Sequence, residues 1–353
     1  MSTQKVVSGR FKLGVVSTTI HDESGYLPFD TQAAESPFSQ IGFYVAGDLG
    51  TPDFDTAKFS SPIVFLSPAE QEQFRCSAEI GWNKIMRRNL ALLRCIADQP
   101  DFILLIDDDN LPPPDYFRNW YRVLTSEPRC ALHSTPAGSG GRTWHNYLRT
   151  ADTPVEIYPR GFPISERGRW TPELQAMASG TVPPSDVWLY QGISLGDPDV
   201  DATTRLAIAP RLQRVDELDY VLRDVWSPYN TQNTIVARQL FPLACVWPHC
   251  GRYDDIFASF TWQQFAFSQR KYIHIGNALN HQQHRTRDLL ADLRSEIEGM
   301  TKASEIVSAI ATIEAPDANT FLEALIDLPG PELITRHRRF FEAFRRDLEE
   351  VAA

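Results

Sequence analysis

The chain has 353 residues, room for one large domain or two smaller ones, and its 42% apolar and 22% charged residues exclude a disordered chain. Against 34 Lys and Arg stand 45 Asp and Glu, and the net charge of −11 argues against nucleic acid or a membrane surface as the main partner. Five scattered cysteines (Cys76, Cys95, Cys130, Cys245, Cys250), no bilayer-length apolar run and no signal-type leader predict a cytoplasmic protein without a membrane span.

Residues 11–20 (FKLGVVSTTI) form a β-branched run that reads as a buried strand ending in Ser17, Thr18 and Thr19. Small hydroxyl residues at the carboxyl end of a parallel strand lie where α/β folds place ligands. Residues 41–46 read as a second strand, followed by Gly47 and Asp48, and residues 63–66 as a third. Residues 79–97 have helical spacing and carry Arg87, Arg88 and Arg94. Residues 102–106 are a fourth, very apolar strand running into Asp107-Asp108-Asp109. This alternation predicts a doubly wound, mostly parallel sheet flanked by helices. Residues 135–201, rich in Gly, Pro, Trp and Arg, read as loops over a site. An aromatic helix is predicted over 256–267, and helices over 318–328 and 332–351, so that residues 1–285 form the α/β domain and residues 286–353 a helical extension.

The acidic triplet is the sharpest local feature. Adjacent carboxylates repel, and a hard divalent cation such as Mg²⁺ or Mn²⁺ resolves the conflict. In an extended segment Asp107 and Asp109 point one way and Asp108 the other, so the outer pair can share a metal that also holds a substrate diphosphate. A solvated acidic turn or a helix N-cap is the alternative. Arg87, Arg88, Arg160 and Arg167 offer planar forks suited to phosphate oxygens, or surface ion pairs. Gly251-Arg252-Tyr253-Asp254-Asp255 precedes the aromatic helix, where the acidic pair can favour the helix dipole or supply a general base. Gly138-Ser139-Gly140-Gly141 does not make a dinucleotide fingerprint, and there is no P-loop, GxSxG or HExxH. Cys245, His249 and Cys250 are too few for a zinc site by spacing. His274, His281 and His284 read as core or surface histidines before they read as ligands.

In order, VVSTTI (15–20), GDLGTP (47–52), RRN (87–89), IDDDN (106–110), YPRGFPIS (158–165) and GRYDDIFAS (251–259) resemble a superfamily of GT-A glycosyltransferase-like proteins. Two branches are similar: the reversibly glycosylated polypeptides, or UDP-arabinopyranose mutases, and the STELLO-type glycosyltransferases. The resemblance covers residues 11–295. It implies a GT-A-like, Rossmann-type fold and a metal-dependent transfer from a nucleoside diphosphate sugar, a UDP-sugar above all, to an acceptor hydroxyl. It leaves a mutase or self-glycosylating activity, and a non-catalytic nucleotide-sugar-binding module, as alternatives. By the same resemblance Thr18 and Asp48 line the nucleoside pocket, Arg88 lies by the diphosphate, and Thr19, Asp107 and Asp108 also belong to the nucleotide-sugar site. Asp107 and Asp109 bind Mn²⁺ or Mg²⁺. Arg160 matches the arginine that becomes glycosylated in the mutases, and Arg167 their second arginine. Asp255 takes the acceptor or base role, with Asp254 as the cap.

Overall fold

The structure, a computed structural model, describes residues 10–126, 132–133, 142–149, 151–168, 176–177, 182–213, 219–282 and 286–352. Cys130, Gly138 to Gly141 and His284 lie outside them.

The first half is built as its apolar runs predict. Strands β1 (Lys12–Thr19), β2 (Gln40–Gly47), β3 (Ile63–Leu66) and β4 (Phe102–Ile106) lie parallel in the order β3-β2-β1-β4. Because successive side chains of a strand face opposite sides, Val15 and Leu104 enter one core and Val16 and Leu105 the other. The sheet continues through β5 (Val187–Gly196), β6 (Asp219–Leu222), β7 (Asn233–Ala237) and β8 (Tyr272–Gln282) in the order β4-β7-β5-β8-β6. Strand β7 runs antiparallel to both neighbours, and β8 is parallel to β5. From β3 to β8 every strand except β7 therefore points the same way, and the fold is mixed α/β with a mostly parallel central sheet.

Three sequence expectations change. Residues 187–196, expected among loops, form a central strand. Its interior is almost wholly buried although it includes Gln191, Gly192 and Ser194, which hide it from an apolar count. The helix expected over 79–97 is broken: a short helix ends at Gly81 (φ +74°), and α1 (Arg88–Ala97) starts afresh after a turn. Only glycine enters that backbone region without strain. The break puts Arg88 at a helix start instead of mid-helix. The helix expected over 332–351 divides at His337 into Glu332–Arg336 and α6 (Arg338–Ala352).

Helix α2 (Tyr116–Thr125) covers one face of the sheet with Phe117 and Trp120. On the other face lie α1, α3 (Asp254–Ser268), α4 (Leu289–Ile310), α5 (Ala318–Asp327) and α6. Helix α3 is buried at 14 of its 15 residues, which is why it shows no single apolar stripe: it is a core helix, buried all round, with its polar side chains hydrogen-bonded inside. The C-terminal helices share this core, Phe321, Phe341 and Phe344 clustering with Leu90 and Phe257. Among the described residues no helix is long and apolar enough to cross a membrane.

Candidate functional site

The strand order reverses between β1 and β4, and the crevice at their carboxyl ends is where such sheets take ligands. Thr19 Oγ1 donates to Asp108 Oδ2 across this crevice at 2.8 Å. Thr18 Oγ1 donates to the Ala46 carbonyl at 2.8 Å, tying β1 to β2. Asp48, at the end of β2, is buried, and its carboxylate accepts from the Leu49 N–H (2.7 Å) and the Lys84 N–H (3.2 Å). The turn that follows broken helix 76–80 thus closes on the residue expected at the nucleoside pocket.

Arg87 and Arg88 separate by role. Arg87 is fully buried, stacks on Trp82 at 3.7 Å and donates to Gln71 Oε1 at 2.7 Å, so it braces the loop. Arg88 points to the crevice: Nη2 donates to Asp107 Oδ1 at 2.5 Å, and Nη1 donates to Thr231 Oγ1 (2.7 Å) and to the Thr231 carbonyl (3.1 Å). Burial pushes the Asp107 carboxyl up. Arg88 pulls it down, Asp109 and Asp255 push it up again, and the net shift is upward. The charge of Asp109 acting on Asp107 is a repulsion of the kind a hard cation offsets. Among the described residues no three His, Cys, Asp or Glu side chains gather as a metal cage. A cation held by Asp107 and Asp109 would therefore take its remaining oxygens from a diphosphate and water, as Mg²⁺ and Mn²⁺ do with few protein ligands.

The second group of expected residues is buried. Arg160 is only 6% exposed and uses all five of its N–H donors. Nε and Nη2 clamp Asp199 (2.8 and 2.9 Å), Nη1 and Nη2 clamp Asp255 (2.9 and 3.0 Å), and Nη1 also donates to the Arg252 carbonyl. In this arrangement every donor of Arg160 is engaged within the protein. Arg167 pairs with Asp201, donates to the Phe162 carbonyl at 3.3 Å and stacks over Tyr158, so it too is engaged in structure.

Asp254 and Asp255 have different surroundings, as two adjacent residues of a helix start must. Asp255 Oδ1 accepts from Arg160 and the Ile256 N–H (3.0 Å), and Oδ2 from Arg160 and the Thr231 N–H (3.3 Å). All four lone-pair directions of the carboxylate are filled by donors within the protein. Asp254 accepts from the Cys250 N–H at 3.0 Å, a tie to the preceding loop and not a cap on the helix's own N–H groups. Burial, reinforced by the charge of Asp255, raises its carboxyl well above the usual range.

Sequence reasoning passed over Asp197, Asp199, Asp201 and Thr231. The three aspartates follow β5 at alternate positions, and each takes an arginine: Asp197 takes Arg205, Asp199 Arg160 and Asp201 Arg167. The alternating acidic pattern DPDVD at 197–201 is the available signal. Cys245, His249 and Cys250 are not gathered as ligands: His249 Nε2 meets the Glu79 carbonyl at 2.8 Å, and burial pushes the Cys245 thiol up to about 12. His274 is a core residue, and His281 is exposed.

No family model matches the sequence, and no curated protein matches it. Solved structures do resemble the chain. A mycobacterial protein aligns at 13% identity over 90% of this chain and 82% of its own, with a TM-score of 0.43. Glucosyl-3-phosphoglycerate synthase from Mycobacterium tuberculosis, in complex with Mn²⁺, UDP and phosphoglyceric acid, aligns at 13% identity over 88% of this chain and 82% of its own, with a TM-score of 0.42. The same enzyme with Mn²⁺, UDP-glucose and glycerol 3-phosphate gives 14%, 88%, 83% and 0.41. Likeness at this level assigns neither a substrate nor a residue role to this chain.

Proposed function

We propose that the chain is a GT-A-like, metal-dependent glycosyltransferase that takes a nucleoside diphosphate sugar, a UDP-sugar in the first instance, and transfers the sugar to an acceptor hydroxyl. The observation that carries the reading is the arrangement at the sheet's switch point. Two carboxylates, Asp107 and Asp109, follow a buried strand, and the guanidinium of Arg88 reaches Asp107 at 2.5 Å. Thr19 fixes Asp108 from across the crevice at 2.8 Å. Asp107 and Asp109 are the residues that would hold Mn²⁺ or Mg²⁺, and the cation would stabilise charge developing on the leaving diphosphate. Arg88 adds fixed positive charge beside it. Thr18, Thr19 and Asp48 line the same carboxyl edge and are assigned to the nucleoside side. Asp255 is not carried over as a base and Arg160 is not carried over as a sugar acceptor, since hydrogen bonds within the protein occupy both.

Calorimetric titration of UDP with and without Mn²⁺ tests the reading. Binding is expected to require the cation, and Asp109→Asn is expected to weaken it at least tenfold, the scale of one lost charge-assisted contact of about 1.5–3 kcal/mol. Metal-independent binding, or unchanged affinity in the variant, overturns the assignment. Slow hydrolysis of a UDP-sugar without a stable mass adduct on the protein is the expected companion result. Binding without hydrolysis points to a non-catalytic module instead, and an adduct to self-glycosylation.

A further inference from the structure

We propose that Thr231 is a positioning residue for the acidic triplet, held from behind by Asp255 and acting through Arg88, so that a buried relay sets the geometry of Asp107 before any ligand arrives. The inference rests on the reading of Asp107 as a cation–diphosphate ligand and adds to it the parts that hold that ligand in place.

The path is continuous. Asp255 Oδ2 accepts from the Thr231 N–H at 3.3 Å. Thr231 then accepts twice from Arg88 Nη1, at 2.7 Å on its hydroxyl and 3.1 Å on its carbonyl. Arg88 Nη2 takes Asp107 Oδ1 at 2.5 Å. Behind Asp255 the path closes on itself. Arg160 clamps Asp255 with one edge and Asp199 with another, and Asn230 Nδ2, next to Thr231 in sequence, donates to Asp199 Oδ2 at 3.0 Å. Asp199, Arg160, Asp255, Thr231 and Asn230 thus form a closed ring from four separate stretches of chain.

Exposure along the relay decides its direction. Asp255 is 5% exposed, and Thr231 and Arg88 are each 2% exposed, whereas the Asp107 side chain is 28% exposed. Only the last member meets solvent, so the ring can act on a ligand only through Arg88 and Asp107. A free arginine side chain samples many rotamers, and holding it in one costs conformational entropy. Anchoring Nη1 on Thr231 removes that freedom in advance, and pre-organisation of this kind appears as ligand affinity. It also explains why Asp255 stands at the start of a core helix with every lone pair engaged, an arrangement of no use to a base.

The test compares Thr231→Val, which keeps the shape and removes the hydroxyl, with Thr231→Ser, which keeps the hydroxyl. UDP is titrated calorimetrically in the presence of Mn²⁺, with melting temperatures recorded alongside. Thr231→Val is expected to weaken UDP binding by roughly three- to tenfold, less than loss of a whole charged hydrogen bond because the Thr231 carbonyl still accepts from Arg88 Nη1. Thr231→Ser is expected to stay within about twofold of the parent protein. Equal affinity in the parent and Thr231→Val overturns the relay and leaves the proposed function standing. Equal weakening in both variants, in step with melting temperature, also overturns it, because packing then accounts for the loss. A parent protein that binds UDP with no dependence on Mn²⁺ overturns the proposed function, and the relay with it.

Discussion

Asp254 and Asp255 are neighbours in sequence and opposites in electrostatics. Asp255 sits in the fork of Arg160, while Asp254 is buried against that charge with a single backbone donor. The raised folded-state value of Asp254 fixes the sign of its effect on stability. Above about pH 4 the unfolded chain releases this proton and the folded chain keeps it, so stability falls as pH climbs from there towards the raised value. Asp199 behaves in the reverse sense. Burial opposes its charge, but Arg160 overcomes that and holds its carboxyl below the usual range, so its contribution is present above about pH 4 and is lost on acidification. Asp254→Asn keeps the acceptor for Cys250 and removes the titration. Its melting temperature is expected to exceed the parent's near pH 7 and to converge with it near pH 4, and a constant offset across that range contradicts the account. Arg160→Leu leaves Asp199 and Asp255 buried without their counter-charge, and is expected to cost about 3–5 kcal/mol in urea unfolding. A loss of turnover without loss of stability in Arg160→Lys would restore a catalytic role to this arginine.

At the scale of elements, the turn carrying Arg160 depends on one glycine. Gly161 has φ +91°, and a Cβ there would lie 2.3 Å from Ile256 Cγ2, on the first turn of α3 beside Asp255. Gly161→Ala combines backbone strain of about 1–3 kcal/mol with a clash against a buried side chain, so it should lower stability by at least that amount and loosen the Arg160–Asp255 clamp. Hydrogen exchange at the start of α3, measured against the rest of the helix, reads this directly, and unchanged protection there counts against the clamp. The same elements show what sequence could and could not reveal. Strands β1 to β4 are legible because each is a short apolar run closed by polar residues, and the triplet is legible because it follows one of them. Strand β5 is illegible because Gln191 and Ser194 sit inside the sheet, where amide and hydroxyl groups break the apolar run without breaking the strand. The carboxylate partners of Arg160 are 39 and 95 residues away along the chain, and no local spacing rule reaches them.

At the scale of the whole molecule, the C-terminal helices bear on the site through the core. Asp347 of α6 is 2% exposed, and its carboxylate accepts from the backbone N–H groups of Arg75 (3.0 Å) and Cys76 (2.8 Å), the start of the helix that ends at Gly81. Trp247 packs against Phe341 of α6 and Phe257 of α3, so one aromatic group joins the last helix to the helix that carries Asp255. Glu296 of α4 accepts from Arg252 Nε at 2.8 Å and from the Ala202 N–H at 2.7 Å, bracing both sides of the ion-pair ring. If residues 286–353 were an independent unit, heating would give two transitions. Because their apolar side chains belong to the same buried cluster as Leu90 and Phe257, we expect one cooperative transition, with calorimetric and van't Hoff enthalpies in agreement. Asp347→Ala removes a cap from a distant helix and leaves the Arg75 and Cys76 N–H groups without their acceptor, so it should lower the stability of the whole molecule by about 1–3 kcal/mol without splitting that transition. A separate low-temperature transition that disappears on removal of residues 286–353 would instead mark the C-terminal helices as an appended domain.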